Sequence, residues 1–491
     1  MKGKAFLVLG TLFCLVFTYI TLLAAACCYH GIMGWPVIFF LLLFACLVVL
    51  VIGLNFLMNK LDPNVYLLLS CIVMAALAVR LLWVFNVNTA LSNDFKDYAD
   101  YAVAIAQRNA WHPPHFFEMF PFTLGYPLVL SVWYKIFGTS LVVGKVFNIV
   151  CSLVLLLLIY AVANLVFGRR TACIAGIVFA FWPTQIMYTS VMATEHVFGV
   201  FFMLSVLLTL LIGKSIAERR AYVFSLILGA TITLAQFVRP IASLLLPCVF
   251  VYLFLFTELK GGLIEALVRK TAIVAAVLAS YLVCSSVLNH AVFNITGVDL
   301  SRSSPGFNLF MGTNAEYGGM WNEDDAKLIE DSGQDPERIK KEAMRRGIER
   351  IRRDPVAFMK FALGEKLGNM WANEEYGYSW STETLINESR LSGFVENNGR
   401  LTESVYQVFY VLLLFMAVAG SIFALSLKKN DISLMMLFAL AVVGVHLFLE
   451  VQSRYAFPVM VLLVVAAAFG VDRLTEYATL VRDEIASLRS Q

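Results

Sequence analysis

Charge is scarce in this chain. Only 14% of its 491 residues are Asp, Glu, Lys or Arg, while 60% are hydrophobic. A soluble globular domain carries about 25% charged residues. The deficit excludes a chain built around one soluble core, and apolar runs of about 18 or more residues predict a polytopic membrane protein. Net charge is only +3, so there is no basic footprint for nucleic acid. The nine cysteines lie in or at the ends of apolar runs. Without a CxxC or Cys/His ligand spacing they indicate neither a disulfide framework nor a zinc site. No internal repeat relates residues 1–245 to 246–491, which counts against a transporter made of two similar halves.

What is present is a series of spans. Runs of about 20 apolar residues lie at 5–28, 36–58, 65–88, 140–167, 171–189, 191–213, 221–237, 239–257, 269–290, 403–427, 431–449 and 455–471. The predicted fold class is therefore an all-α polytopic membrane protein of about twelve transmembrane helices, with both termini on one side. The first run follows Lys2 and Lys4 and is too long for a signal-peptide core. Residues 122–137 are shorter and follow Pro113-Pro114 and Pro121, so they read as an interfacial helix. Lys2, Lys4, Arg169, Arg170, Lys214, Arg219, Arg220, Lys428, Lys429 and Arg473 fall on one side, which the positive-inside rule makes cytoplasmic.

Four regions follow from this. Residues 1–64 hold two N-terminal spans, and 65–290 a transmembrane core with a first outer loop at 89–139. Residues 291–402 form an extracytoplasmic, mainly helical loop domain, and 403–491 the last spans and a cytoplasmic tail. Lys340, Lys341, Arg345, Arg346, Arg350, Arg352 and Arg353 make one loop helix basic, either as a solvated face or as a collar for anionic lipid headgroups.

The chemistry-bearing residues gather on the outer side. Asp94, Asp97, Tyr98 and Tyr101 would share a helix face, with Asp100 beside them. Glu195-His196 sits just inside the outer end of a span, where a carboxylate needs a partner or water. Arg239 and Arg454 occupy minimal outer turns, against the charge rule, and arginine's planar fork suits bidentate phosphate binding. Snorkelling to the headgroups is the plainer reading of each. Arg80 and Lys145 are weaker candidates, because either could snorkel. Carboxylates beside arginines at a membrane surface suit reaction on a lipid-linked phosphate ester, one arm holding the leaving phosphate and the other deprotonating an acceptor hydroxyl.

These motifs together resemble the GT-C fold membrane glycosyltransferases, the group containing dolichyl-phosphate-mannose protein mannosyltransferases and aminoarabinose lipid A transferases. Asp94-Phe-Lys-Asp97-Tyr98 resembles the family's first-loop motif, and Gly125-Tyr126-Pro127 the opening of its juxtamembrane helix. Trp182-Pro183, Tyr188 and Glu195 resemble its second acidic site. Val238-Arg239-Pro240 and Gln452-Ser-Arg454-Tyr455 resemble its two arginine motifs, and Gly312-Thr-Asn314 with Gly318-Gly319 its outer-loop glycine stretch. Two features depart from the pattern. Phe95 stands where relatives often carry a second acidic residue, and the spans within 5–58 precede the usual start of the family.

The resemblance implies inverting transfer of one sugar from a polyprenyl-phosphate donor lipid to an extracytoplasmic hydroxyl on a glycan, lipid or protein. Asp94 would be the base and Glu195 would position the acceptor or base. Arg239 or Arg454 would hold the phosphate, with Asp97, Tyr98, Tyr188, His196, Asn314, Gln452 and Tyr455 lining the substrates. No cofactor is predicted. The absence of a DxD motif argues against a metal-dependent nucleotide-sugar enzyme, although Asp94, Asp97 and Asp100 could offer oxygens to a divalent ion. The rival readings are an oligosaccharide ligase or polymerase working on a carrier lipid, and a transporter or flippase. A transporter would place its charges at mid-membrane.

Overall fold

The structure is a computed structural model that describes residues 2–31, 45, 53, 65–258, 262–302, 306–333, 335–386 and 389–489. The predicted span 36–58 lies outside the described residues, Ala45 and Gly53 excepted. The fold is all-α, and among the described residues the β pairing is a single isolated bridge, Thr89 to Leu385. Among the described residues eight helices are long and apolar enough to cross a membrane: Lys2–Cys27, Tyr66–Asn86, Leu141–Phe167, Glu195–Lys214, Arg220–Val238, Leu263–Thr296, Gly399–Ser426 and Ser453–Leu480. Pro240–Leu255 and Asn430–His446 are shorter apolar helices.

The predicted span 171–189 is not one helix. It breaks into Arg169–Ala180 and Pro183–Tyr188. Pro183 has no N–H to give the Phe179 carbonyl one turn back, so the ladder stops there. Backbone groups released inside a bilayer must find partners. Arg80 supplies them, donating to the Phe179 carbonyl at 3.2 Å and the Ala180 carbonyl at 2.9 Å, with Ser152 Oγ at 2.9 Å. Arg80 is therefore buried in the bundle rather than snorkelling. Lys145 is also buried and donates to Asn88 Oδ1 at 2.7 Å.

Elsewhere the spans close on small residues. A Cβ on Gly420 would lie 1.9 Å from the Ala466 carbonyl oxygen, and one on Gly470 2.3 Å from that of Met416. Two backbones meet there as only glycine permits. One end of the bundle carries the pairs Lys2–Glu258 at 3.1 Å, Lys214–Asp431 at 2.9 Å and Arg170–Asp472 at 2.8 Å. The opposite end carries Asp94, Glu195, Arg239 and Arg454.

Beyond that end, residues 297–398 add short helices, including Gly306–Gly312, Glu323–Asp331, Pro336–Arg353 and Tyr376–Thr382. Asn322 and Asp335 cap the second and third by accepting backbone N–H bonds. The basic helix Pro336–Arg353 is partly neutralised from within. Arg345 and Arg346 reach Glu342, and Arg350 grips Asp325 through two bonds at 2.7 and 2.8 Å. The segment then returns over the first loop, where Ala90 N donates to the Thr384 carbonyl at 2.8 Å and Ile386 N to that of Asn88 at 2.9 Å.

Candidate active site

The helix Asn93–Arg108 opens with Asp94 in its first turn, where the helix dipole favours a carboxylate. Its inner face is aromatic. Phe95 packs 5.1 Å from Trp380, and Tyr98 lies 6.0 Å from Tyr126 and 6.3 Å from Phe117. The expected face of Asp94, Asp97, Tyr98 and Tyr101 is split: the tyrosines are buried and Asp97 is exposed. Partial desolvation of this exposed side chain and the charge of Asp94 raise the Asp97 carboxyl above its ordinary range. Asp100 pairs with Lys96 at 3.0 Å on the surface. The three aspartates therefore do not converge as an oxygen cage, and among the described residues no group of three His, Cys, Asp or Glu side chains does.

Gly125 explains how the juxtamembrane helix Gly125–Phe137 is seated. A Cβ there would fall 2.1 Å from the Phe237 carbonyl oxygen, on the turn that carries Arg239. Arg239 forms a close ion pair with Glu195, whose second oxygen accepts from Thr194 Oγ1 at 3.1 Å. Glu195 is 1% exposed and Arg239 15%. Across from them Arg454 Nη2 lies 3.4 Å from Asp94 Oδ2, with Asp94 41% exposed and Arg454 11%. Arg454 also donates through Nε to Gln452 Oε1 at 2.8 Å and lies 5.1 Å over the Phe95 ring. Both guanidinium groups face the Tyr455 ring, at 5.2 Å for Arg239 and 5.8 Å for Arg454. Such stacking leaves in-plane donors free for an anion.

Tyr98 is close to all four charges, and burial pushes its hydroxyl well above the ordinary tyrosine range, so it is a neutral donor. Tyr188 is buried beside Arg454, its ring 5.3 Å from His196 and 4.9 Å from Tyr376. The structure thus brings together Asp94, Tyr98, Tyr188, Glu195, Arg239, Gln452, Arg454 and Tyr455. It does not bring His196 or Asn314 into the cluster's open side. His196 is buried and holds the Tyr188 carbonyl through Nε2 at 3.0 Å, fastening the turn before Glu195. Asn314 donates to Asp325 at 3.0 Å and accepts from Glu316 N, so its side chain shapes its own loop.

Glu374, Lys366 and Glu450 are buried ionisable groups near this end of the bundle that the sequence does not single out. Glu374 accepts from Trp182 Nε1 and Thr184 Oγ1, each at 2.9 Å, and docks residues 374–377 into the Pro183 break. Burial pushes its carboxyl up to about 8. Lys366 donates to the Gly312 and Leu447 carbonyls. Glu450 stands behind Gln452. Only Glu450 carried a usable signal, a carboxylate two residues from Gln452 in the same minimal turn.

Comparison with known proteins bears on this cluster. Residues 121–290 match the family described as dolichyl-phosphate-mannose-protein mannosyltransferase. The match bears out the resemblance to GT-C membrane glycosyltransferases. The matched segment holds Gly125-Tyr126-Pro127, Glu195 and Arg239, while Asp94 and Arg454 lie outside it. No curated protein matches the sequence. Among solved structures the chain is similar to the oligosaccharyltransferase AglB of Archaeoglobus fulgidus in complex with an inhibitory peptide and a dolichol-phosphate. The TM-score is 0.48 at 14% identity, over 88% of this chain and 52% of that one. It is also similar to ArnT of Cupriavidus metallidurans bound to undecaprenyl phosphate, with a TM-score of 0.37 at 15% identity over 83% and 78% of the two chains. The chain spans about half the length of the archaeal structure.

Proposed function

We propose that this multi-pass membrane protein is an inverting glycosyltransferase that moves a single sugar from a polyprenyl-phosphate donor to an extracytoplasmic hydroxyl. The observation that carries the reading is the pairing of a half-exposed carboxylate, Asp94, with two arginines that share the Tyr455 ring. The family matched by residues 121–290 is named for a lipid-phosphate sugar. The basic residues at the far end of the bundle support termini in the cytoplasm and a site facing outward.

In this reading the Asp94 carboxylate takes the proton of the acceptor hydroxyl as its oxygen attacks the anomeric carbon. The bond from that carbon to the phosphate oxygen breaks, and its electron pair leaves on the phosphate. Inversion needs one base on the face opposite the leaving group. Arg454 and Arg239 stabilise the charge that develops on the phosphate, so no separate strong acid is required. Glu195 holds Arg239 in place. Tyr98, Tyr188, Gln452 and Tyr455 border the same space, and Asp97 lies at its rim for the acceptor.

The test is purified protein with radiolabelled polyprenyl-phosphate sugars, a lipid-linked oligosaccharide and hydroxyl acceptors. Transfer of one sugar is expected, and its loss in Asp94→Asn. Transfer of whole oligosaccharide alone would make the protein a ligase, and undiminished transfer by Asp94→Asn would remove Asp94 as the base.

A further inference from the structure

We infer that Glu450 is a positioning residue: its carboxyl orients the Gln452 amide, which in turn holds Arg454 against Asp94. The inference rests on the functional reading above for its kinetic consequence and on geometry for the rest.

Arginine only donates hydrogen bonds. The 2.8 Å contact from Arg454 Nε therefore fixes the Gln452 amide with its oxygen toward Arg454. The Gln452 NH2 must then point the other way and needs an acceptor. Glu450 Oε1 is that acceptor, at 3.1 Å. The Tyr455 hydroxyl donates to the same oxygen at 3.4 Å. One oxygen thus orients both the amide that holds Arg454 and the ring that both arginines face.

Glu450 is 6% exposed. The charged groups facing it are Arg454, Asp94 and Lys366, with Gln452 and Tyr455 as its hydrogen-bonding neighbours. Burial pushes its carboxyl up to about 7. When neutral, Glu450 keeps an accepting oxygen without competing with Asp94 for Arg454.

The turn carrying this relay is pinned by the outer loop. Glu450 N donates to the Asn308 carbonyl at 2.8 Å, and Val451 N to the Gly319 carbonyl at 3.0 Å. A Cβ on Gly312 would lie 2.2 Å from the Leu449 carbonyl carbon and 2.4 Å from Glu450 N. Lys366 ties the same loop to the Leu447 carbonyl at 3.2 Å. The glycine stretch 312–319 is therefore a backbone seat for the arginine turn. Gly312 is needed because it meets the backbone of that turn, and Gly318 and Gly319 because their φ angles of 63° and 74° favour glycine.

The experiment compares Glu450→Gln, which keeps an accepting oxygen, with Glu450→Leu, which keeps the bulk and loses it. Glu450→Leu should lower kcat on the order of 100-fold, the scale of a misplaced catalytic group, with KM for the donor changing less. Glu450→Gln should restore kcat to within about threefold of wild type. A residue that merely fills the core would lower Tm and yield but leave kcat per folded molecule intact, and that result overturns the inference. Equal impairment of the two variants overturns it too. If Glu450→Leu does not fold, Gln452→Leu carries the test, with the same kcat loss expected and wild-type kcat overturning the relay. If the wild type transfers nothing from any donor, the functional reading has failed by itself. The relay is then decided by the structure of Glu450→Leu: Arg454 swung away from Asp94 supports it, and Arg454 still at Asp94 refutes it.

Discussion

Two carboxylate–arginine pairs meet at Tyr455, and they are built to different ends. Glu195 and Arg239 form a pair whose carboxylate is closed off, with Glu195 1% exposed and its remaining oxygen taken by Thr194. Asp94 and Arg454 form an open pair at 3.4 Å, with Asp94 41% exposed. A buried ion pair gives little net stability, but removing one partner leaves an uncompensated charge and costs much more. A half-exposed carboxylate can accept a proton and release it to water. The closed pair therefore holds the architecture, and the open pair is available for chemistry.

The strongest way to break this comparison is to neutralise each pair in turn. Asp94→Asn keeps an oxygen for Arg454 to contact and removes the carboxylate proposed as the base. It should lower kcat by about 10²–10⁴-fold at unchanged Tm, measured by initial rates and thermal unfolding in the same detergent. Arg239→Ala should act first on stability, by about 3–5 kcal/mol, read as a loss of Tm. Adding Glu195→Gln should recover much of that loss, because the stranded charge is gone; no recovery would mean that Arg239 acts by bulk. Gly125→Ala sharpens the point at the backbone. It should cost about 1–3 kcal/mol through overpacking on Phe237, with Tm and kcat falling together because the Arg239 turn moves.

A smaller effect separates Glu374 from both pairs. Its carboxyl is raised to about 8 against an ordinary value of about 4.3, so the folded state binds the proton more tightly than the unfolded chain. That contribution is fully present at low pH and is lost as pH rises from about 4 toward about 8. Glu450 acts in the same sense and Lys366, pulled down to about 7 by burial, in the opposite one. The difference between wild type and Glu374→Gln isolates the group: the variant should show a shallower fall of Tm across that range. The smallest effect belongs to the exposed Lys96–Asp100 pair. Lys96→Ala should leave Tm and kcat unchanged within error, and a large drop would show that the outer face of this helix also touches substrate.

Arg239 and Arg454 are legible because a bilayer penalises charge in short turns, so each one has to be accounted for. Gly125 and Gly312 could be read as motif glycines, but not which backbone each one touches. Asp97 and Asp100 could not be separated from Asp94 by spacing alone, since helical periodicity says which residues align and not which side the core occupies. Asn314 and His196 looked like site residues because they sit within site motifs, yet their side chains are spent on Asp325 and on the Tyr188 carbonyl. The run 171–189 hid its break at Pro183, since hydropathy reports transfer energy and is blind to a missing N–H.

The order of residues alone makes the chain helical and membrane-spanning and singles out Asp94, Glu195, Arg239 and Arg454 as charges in unusual places. It does so because solvation energy depends on composition and order along the chain. Only the tertiary structure decided which carboxylate is closed off by Arg239 and which stands open beside Arg454, and that Glu450 backs the arginine turn. Asp94 and Arg454 are 360 positions apart, Glu195 and Arg239 are 44 apart, and the Glu450 turn is seated by Asn308 and Gly319, so these pairings depend on how separate segments pack.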